Sequence, residues 1–252
     1  MDWLLAEDDD FNIIQQESLA ATGYKFAERV AILNEKMSEI EALIPECGIK
    51  NVEKQDIVLS ICADVIVNLE EAYSLFVVVF PDPGLEAAIR GAIGKPTGDI
   101  YLDELLAITY LRALSLGIVD LSGLEYCTNL EILRLSYNQI VDISPLAALT
   151  NLQTLYLYYN RIVDISGLGG LTNLQTLSLS RNRIVDVGPL EALTNLQTLH
   201  LYTNQIVDIS PLLGCLLNDG DYVDIRTNPL NDDAPSVIAE LQSRGVDVTF
   251  DQ

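Results

Sequence analysis

The heptapeptide LTNLQTL begins at Leu149, again at Leu171 and again at Leu193, each start 22 residues after the last. A chain that repeats at a fixed interval in the twenties meets the same packing problem once per interval, and stacking is the general solution. Further columns align at this step. An asparagine recurs as Asn138, Asn160, Asn182 and Asn204, and Asn228 follows after 24. An aliphatic column reads Leu130, Leu152, Leu174 and Leu196. Three and five residues later stand Leu133/Leu135, Leu155/Leu157, Leu177/Leu179 and Leu199/Leu201. A second set, Ile140/Ile143, Ile162/Ile165, Ile184/Val187 and Ile206/Ile209, completes each turn.

In each LxL the two leucines share one face of a strand, and the residues between them share the other. One unit cannot bury its leucines alone. Stacked units share a continuous core, in which each buried Leu contributes roughly 1.5–3 kcal/mol. The asparagine stands where the chain leaves the strand. There its amide satisfies backbone groups of its own and adjacent turns, and its removal costs on the order of 1–3 kcal/mol. In the return segment DISPL, Ser144 and Ser210 are expected to cap a short helical turn on the convex side. Pro145, Pro189 and Pro211 suit its first helical position. Gly167 replaces that Pro in one unit, and Gly188 replaces the capping Ser in another.

The LxxLxLxxN pattern at this interval resembles the leucine-rich repeat, and the 22-residue IxDIxPL variant resembles the bacterial internalin type, with similarity also to the eukaryotic phosphatase-regulator type. The resemblance spans residues 108–228. It implies an α/β solenoid with a parallel sheet on the concave face and short 3-10 or irregular turns on the convex face. An earlier degenerate unit reads Ile108, Leu111, Ala113, Ile118 and Asp120, with Leu116 in the asparagine column. Residues 76–107 resemble the helical cap that precedes internalin-type repeats. Within them LEAAIRGAI places Leu85, Ile89 and Ile93 on one side of a helix, and DELL (Asp103 to Leu106) starts another. Residues 229–252 resemble the matching C-terminal cap. Val223 and Ile225 continue the leucine columns into it. Asp232 or Asp233 is expected to cap a helix containing Pro235, Val237, Ile238 and Leu241, which Gly245 stops.

Residues 1–75 lie outside the resemblance. Phe26, Val30, Leu33, Met37, Ile40 and Ile44 alternate spacings of four and three, a short heptad seam. The pattern predicts helices near 25–45 and 52–74. An extension packed on the cap, a coiled-coil dimerisation element and a remnant of a neighbouring domain stay open, with a monomer expected.

The net charge of -23 argues against nucleic acid and against anionic membranes. It is unevenly spread: -14 over residues 1–107, -3 over 108–217 and -6 over 218–252. A nearly neutral centre between acidic ends makes the centre the place where a partner is met. The apolar stretch IVLSICADVIVNLEEAYSLFVVVF is interrupted by Asp64, Asn68, Glu70 and Glu71, which a transmembrane helix would not carry at mid-span. MDWLLAEDDD lacks the basic region and apolar run of a secretory signal, which favours a cytoplasmic setting. The internalin resemblance implies a cell-surface or secreted one.

No cofactor is implied. Cys127 and Cys215 occupy the column of Leu149, Leu171 and Leu193, four repeats apart. At about 4.8 Å per strand that separation is roughly 19 Å, beyond disulfide reach. Cys47 and Cys62 are left as a pair whose bonding stays open, and no CxxC spacing suggests zinc. The column Asp120, Asp142, Asp164, Asp186 and Asp208 suggests backbone capping ahead of a calcium ladder. His200, the single histidine, has no partner Ser, Cys or ligand set for catalysis.

What remains is the variable face of the strands. Beside the leucines stand Arg112; Ile132, Arg134 and Ser136; Thr154, Tyr156 and Tyr158; Thr176, Ser178 and Ser180; Thr198, His200 and Tyr202; and Tyr222, Asp224 and Arg226. Tyr137, Tyr159 and Arg181 sit at the rim before the asparagine. Tyr and Arg are enriched at binding hot spots. The expected function is therefore non-catalytic binding of a protein partner on the concave face. Arg134, Tyr137, Tyr156, Tyr158, Tyr159, Ser178, Ser180, Arg181, His200, Tyr202 and Arg226 are the candidate contacts. Cell-surface adhesion or host interaction is a setting that the internalin resemblance implies. A glycan ligand on the same face, and the recognition half of a larger signalling protein or enzyme, are the alternatives.

Overall fold

Each repeat forms a three-residue strand centred on the first leucine of its LxL, with the second leucine buried just beyond the strand's end. In a computed structural model of the protein, residues 76–251 are described; the helices expected near 25–45 and 52–74, and Cys47 and Cys62, lie outside the described residues. Seven strands form one parallel sheet in sequence order: β1 (Tyr110–Arg112), β2 (Ile132–Arg134), β3 (Thr154–Tyr156), β4 (Thr176–Ser178), β5 (Thr198–His200), β6 (Tyr222–Asp224) and β7 (Asp247–Thr249). Register follows the repeat: Leu111, Leu133, Leu155, Leu177, Leu199 and Val223 are successive partners. Short 3-10 turns return the chain on the other side, at Leu124–Tyr126, Ser144–Ala148, Ser166–Leu168, Gly188–Ala192 and Ser210–Cys215. The architecture is a leucine-rich repeat solenoid. Its aliphatic columns are buried between sheet and turns.

Two asparagine ladders hold the coils. In the first, Asn160 Nδ2 donates to Leu157 O in its own turn and to Leu135 O in the preceding one, both at 3.0 Å, while its Oδ1 accepts from Ile140 N at 3.1 Å. Asn138, Asn182, Asn204 and Asn228 make the equivalent bonds. The second ladder lies at the start of the strands. Asn129, Asn151, Asn173 and Asn195 each donate to the carbonyl 23 residues earlier, at Leu106, Thr128, Thr150 and Thr172. It accounts for the asparagine within LTNLQTL, which sequence reading left without a role.

The convex turns are capped by the aspartate column, as expected of it, and not by the serines. Ser144 and Ser210 make no capping bond; each is the first residue of its turn. The aspartate two residues earlier does the work, Asp142 Oδ1 accepting from Ser144 N at 2.8 Å and Asp208 Oδ1 from Ser210 N at 2.8 Å. Asp120, Asp164 and Asp186 repeat the bond to Ser122, Ser166 and Gly188. A carboxylate two residues upstream closes an Asx-type turn that a serine already inside the turn cannot close.

At the N-terminal end, α1 (Pro83–Ile93) buries Leu85 and Ile89. DELL falls in α2 (Leu102–Leu106). Asp82 caps α1, its Oδ1 accepting from Gly84 N and Leu85 N at 2.9 and 3.0 Å. Its Oδ2 accepts from Val119 N at 2.8 Å and Asp120 N at 3.3 Å, so one carboxylate ties the cap helix to the first coil. Gly123, at φ +96°, lets the chain pass Phe80 so closely that a Cβ would stand 2.8 Å from the ring.

At the other end, α3 (Ala234–Ser243) buries Val237, Ile238 and Leu241. Its N-terminus is capped by Asn231, whose Oδ1 accepts from Asp233 N and Ala234 N at 3.2 and 3.1 Å. The side chain of Asp233, expected in that role, makes no capping bond. After Gly245 (φ +87°) the chain adds β7 to the sheet edge, a strand the repeat pattern did not announce. Cys127 and Cys215 are free and buried at opposite ends of the repeats, and burial pushes both thiols up to about 12.

Asn160→Ala removes three bonds from buried groups and is expected to lower stability by about 2–3 kcal/mol in urea denaturation. Asp82 supplies a pH test. Burial raises its carboxyl, but the N–H groups of Val119, Leu85, Asp120 and Gly84 together hold it below the ordinary aspartate range. Its contribution is therefore complete above the unfolded value near 3.9 and is lost as pH falls through the lower folded value. Asp82→Asn turns an amide donor against two N–H groups. It should cost about 1–2 kcal/mol at pH 7 and flatten the loss of stability below about pH 4, read from urea midpoints.

Candidate partner-binding face

The sheet's outward columns follow from its register. One runs Arg112, Arg134, Tyr156, Ser178, His200 and Asp224, each beside the next on adjacent strands. The next column, two residues further along each coil, runs Ser136, Tyr158, Ser180, Tyr202 and Arg226. The rim column is Tyr137, Tyr159, Arg181, Thr203 and Thr227. Every residue of it has a positive φ, between 55° and 61°. This left-handed step, which costs a residue with a side chain roughly 1–2 kcal/mol, turns the chain into the asparagine. It leaves Tyr137 and Tyr159 exposed at the edge of the sheet.

The tyrosines and arginines interlock. Tyr137 and Tyr159 stack with centroids 4.7 Å apart and planes at 18°, and Tyr158 meets Tyr137 edge-on at 5.1 Å. The Arg181 guanidinium lies 4.6 Å from the Tyr159 centroid and 5.8 Å from that of Tyr202, which Arg226 approaches at 5.8 Å. In the strand column of the same face, Arg134 sits between Tyr156 at 5.4 Å and Tyr110 at 5.9 Å. Tyr110 was not among the expected contacts. It lies in the degenerate first unit, and its place two residues before Arg112 was the available signal.

Most of the expected contact residues thus come together on one surface: Arg134, Tyr137, Tyr156, Tyr158, Tyr159, Arg181, His200, Tyr202 and Arg226. Ser178 and Ser180 are corrections. They are 5% and 0% exposed, because each short side chain lies in register between two longer ones, Tyr156 and His200, or Tyr158 and Tyr202. They space the aromatic groups and present almost no surface.

Charge on this face differs from charge on the chain. Its strand and rim positions carry Arg112, Arg134, Arg181 and Arg226 against Asp224, to which the edge strand β7 and the residue two beyond it add Asp247 and Asp251. Asp224 is buried and committed to Arg226, accepting from Nε at 2.9 Å and from Nη2 at 2.7 Å. His200 packs beside Tyr222 with centroids 5.4 Å apart. Burial holds it below the ordinary imidazole range; Asp224 pulls it up and Arg226 pulls it down. Among the described residues no group of three or more His, Cys, Asp or Glu is placed to hold a metal ion, and no helix is long and apolar enough to cross a membrane.

The repeat model described as leucine-rich repeats in two copies matches residues 128–170, 150–186 and 172–214. Internalin H of Listeria monocytogenes serovar 1/2a is 41% identical over 64 residues, which is 25% of this chain and 12% of that protein. The crystal structure of an internalin (inlF) from Listeria monocytogenes strain 4b F2365 superposes with a TM-score of 0.56 at 31% identity. It covers 68% of this chain and 56% of its own. The chain belongs to the internalin-type leucine-rich repeat proteins. A second internalin of that strain, internalin C2, is 32% identical over 69% of this chain and 95% of its own, with a TM-score of 0.43. The present internalin-type chain thus spans about an eighth of Internalin H and about half of the inlF structure.

Because His200 is the single histidine of the chain, its titration is unambiguous. A native NMR midpoint below 6.5 is expected, with a further fall in Asp224→Asn, since that carboxylate is what raises it. The imidazole is then uncharged at neutral pH. Its contribution to stability is present above the unfolded value, about 6.5, and is lost as pH falls through the folded one.

Proposed function

We propose that this internalin-type chain is a non-catalytic recognition module that binds a partner protein on the concave face of its repeats. Tyr156, Tyr158, His200, Tyr202 and Arg134 are the central contacts, with Tyr137, Tyr159, Arg181 and Arg226 around them. One observation carries the reading: the open side of the sheet holds an interlocked set of tyrosines and arginines that the solenoid's packing does not use. Large rigid aromatic groups and guanidinium forks lose little conformational freedom on binding, which is why they concentrate binding energy. Fixing them against one another in the free protein lowers the ordering cost further. The internalin likeness supports adhesion to a protein on another cell's surface as the setting.

The ring geometry supports protein over sugar as the ligand. A pyranose stacks on a free aromatic face, whereas Tyr159 lies between Tyr137 and Arg181, and Tyr202 between Arg181 and Arg226. At these two rings, edges, hydroxyls and guanidinium N–H groups are what remain on offer.

Affinity isolation from host-cell surface extracts with the full chain and with a Tyr156→Ala/Tyr158→Ala variant tests the proposal. Proteins held by the parent and lost by the variant, with urea stability of the variant within about 1 kcal/mol, are expected. Partners indifferent to every concave-face substitution would overturn it, as would retention of cell-wall glycans alone.

A further inference from the structure

Arg112 and Arg134 are register partners on neighbouring strands and point to the same open face of the sheet. Parallel strands stand about 4.8 Å apart, and like charges placed side by side at that spacing repel. Neither arginine makes an ion pair among the described residues, in a chain whose net charge is -23. The contrast with Arg226 is direct: two strands from the other end of the sheet, the same face supplies a carboxylate, Asp224, bonded to that guanidinium at both oxygens.

Arg134 is also fixed. Its guanidinium is held between the rings of Tyr110 and Tyr156, and its Nε is buried without an acceptor. A buried donor left unbonded costs on the order of 1–3 kcal/mol, and more when the group is charged. Among the described residues Arg181, on the rim, is likewise engaged only by Tyr159 and Tyr202. Three guanidiniums are thus set out along one face, those of Arg134 and Arg181 oriented by aromatic rings, and none of the three paired with a carboxylate among the described residues. Among the described residues, the strand and rim positions of β1 to β4 on this face carry no carboxylate.

We propose that the partner bound here presents an acidic segment, with one Asp or Glu carboxylate seated against the Arg112–Arg134 pair and a second reaching Arg181. This rests on the concave-face reading and specifies its chemistry. A carboxylate between Arg112 and Arg134 relieves their repulsion and accepts from their terminal guanidinium N–H groups, whose planar fork it matches. The strongly negative remainder of the chain repels acidic proteins in general. Selectivity therefore comes from this face, and net charge works against it.

A phage-displayed library of random 12-residue peptides, panned on the full chain, supplies an unbiased probe. The expected winners are enriched in Asp and Glu. Their affinity should fall roughly tenfold to a hundredfold in Arg112→Gln/Arg134→Gln and at least about tenfold between 50 and 500 mM NaCl. Circular dichroism and urea midpoints should show the variant folded and no less stable, because a repulsion has been removed; Arg112→Gln alone serves as the milder second variant.

Neutral or basic winners that are lost in Tyr158→Ala/Tyr202→Ala would sink the acidic segment and leave the concave-face reading standing. Winners indifferent to both the tyrosine and the arginine substitutions would sink both. Acidic peptides held equally by the arginine variant contradict the proposal. So does a library without winners, whether or not hyaluronate or polygalacturonate is retained through the two arginines.

Discussion

At the end of β2 to β6 the chain must turn sharply while keeping its backbone out of water. The amide of a single asparagine makes this possible. A primary amide carries two donors and one acceptor oxygen with two lone pairs. Here it spends its donors on the carbonyls of its own coil and of the one before, and its acceptor on the N–H of an aliphatic residue 20 positions earlier. No apolar residue can do this, and an aspartate lacks the donors. Once the amide has joined two coils, the leucine columns are brought into register and the sheet follows. The second ladder, at Asn129, Asn151, Asn173 and Asn195, fastens the other end of each strand in the same manner.

That division of labour leaves the outward side of the sheet without a structural duty. Core leucines, turn asparagines and convex aspartates together account for the stability of a coil, so the positions between the leucines are at liberty to carry chemistry. They carry Tyr, Arg and one His, with serines reduced to spacers between them. The resulting face is rigid, because rings and guanidiniums brace one another across strands, and over β1 to β4 it is positive within a very acidic chain. Both properties are features of recognition surfaces: rigidity reduces the ordering cost of binding, and local charge opposed to the global charge confers selectivity.

How much of this was visible in the sequence depended on range. The period fixed strand positions, the buried columns and the asparagine bend, because each is a local pattern repeated often enough to be unambiguous. The role of Asp82 was not visible, since its second oxygen bonds backbone 37 and 38 residues away and no repeat flags it. Capping by Asp142 and Asp208 in place of the following serines was a question of which side chain geometry reaches, a choice two residues wide. Strand β7 came from outside the repeat, and DVTF has no LxL to announce it. At the candidate site, the sequence located the face and its tyrosines. It could not show that Ser178 and Ser180 would vanish between longer neighbours, or that Arg134 would be clamped by Tyr110 from the degenerate first unit. Those facts are properties of cross-strand neighbours 22 residues apart.

The account rests on the claim that scaffold columns hold the fold while the outward columns hold recognition. A saturation scan of residues 108–228, read in parallel for protease resistance and for capture of a partner, tests that separation most directly. Substitutions in the leucine and asparagine columns should lose both readouts together. Substitutions at Arg134, Tyr156, Tyr158, His200 and Tyr202 should keep protease resistance and lose capture. Capture lost chiefly through exposed convex positions such as Val141, Val163 and Val185, with the concave tyrosines and arginines dispensable, would contradict it.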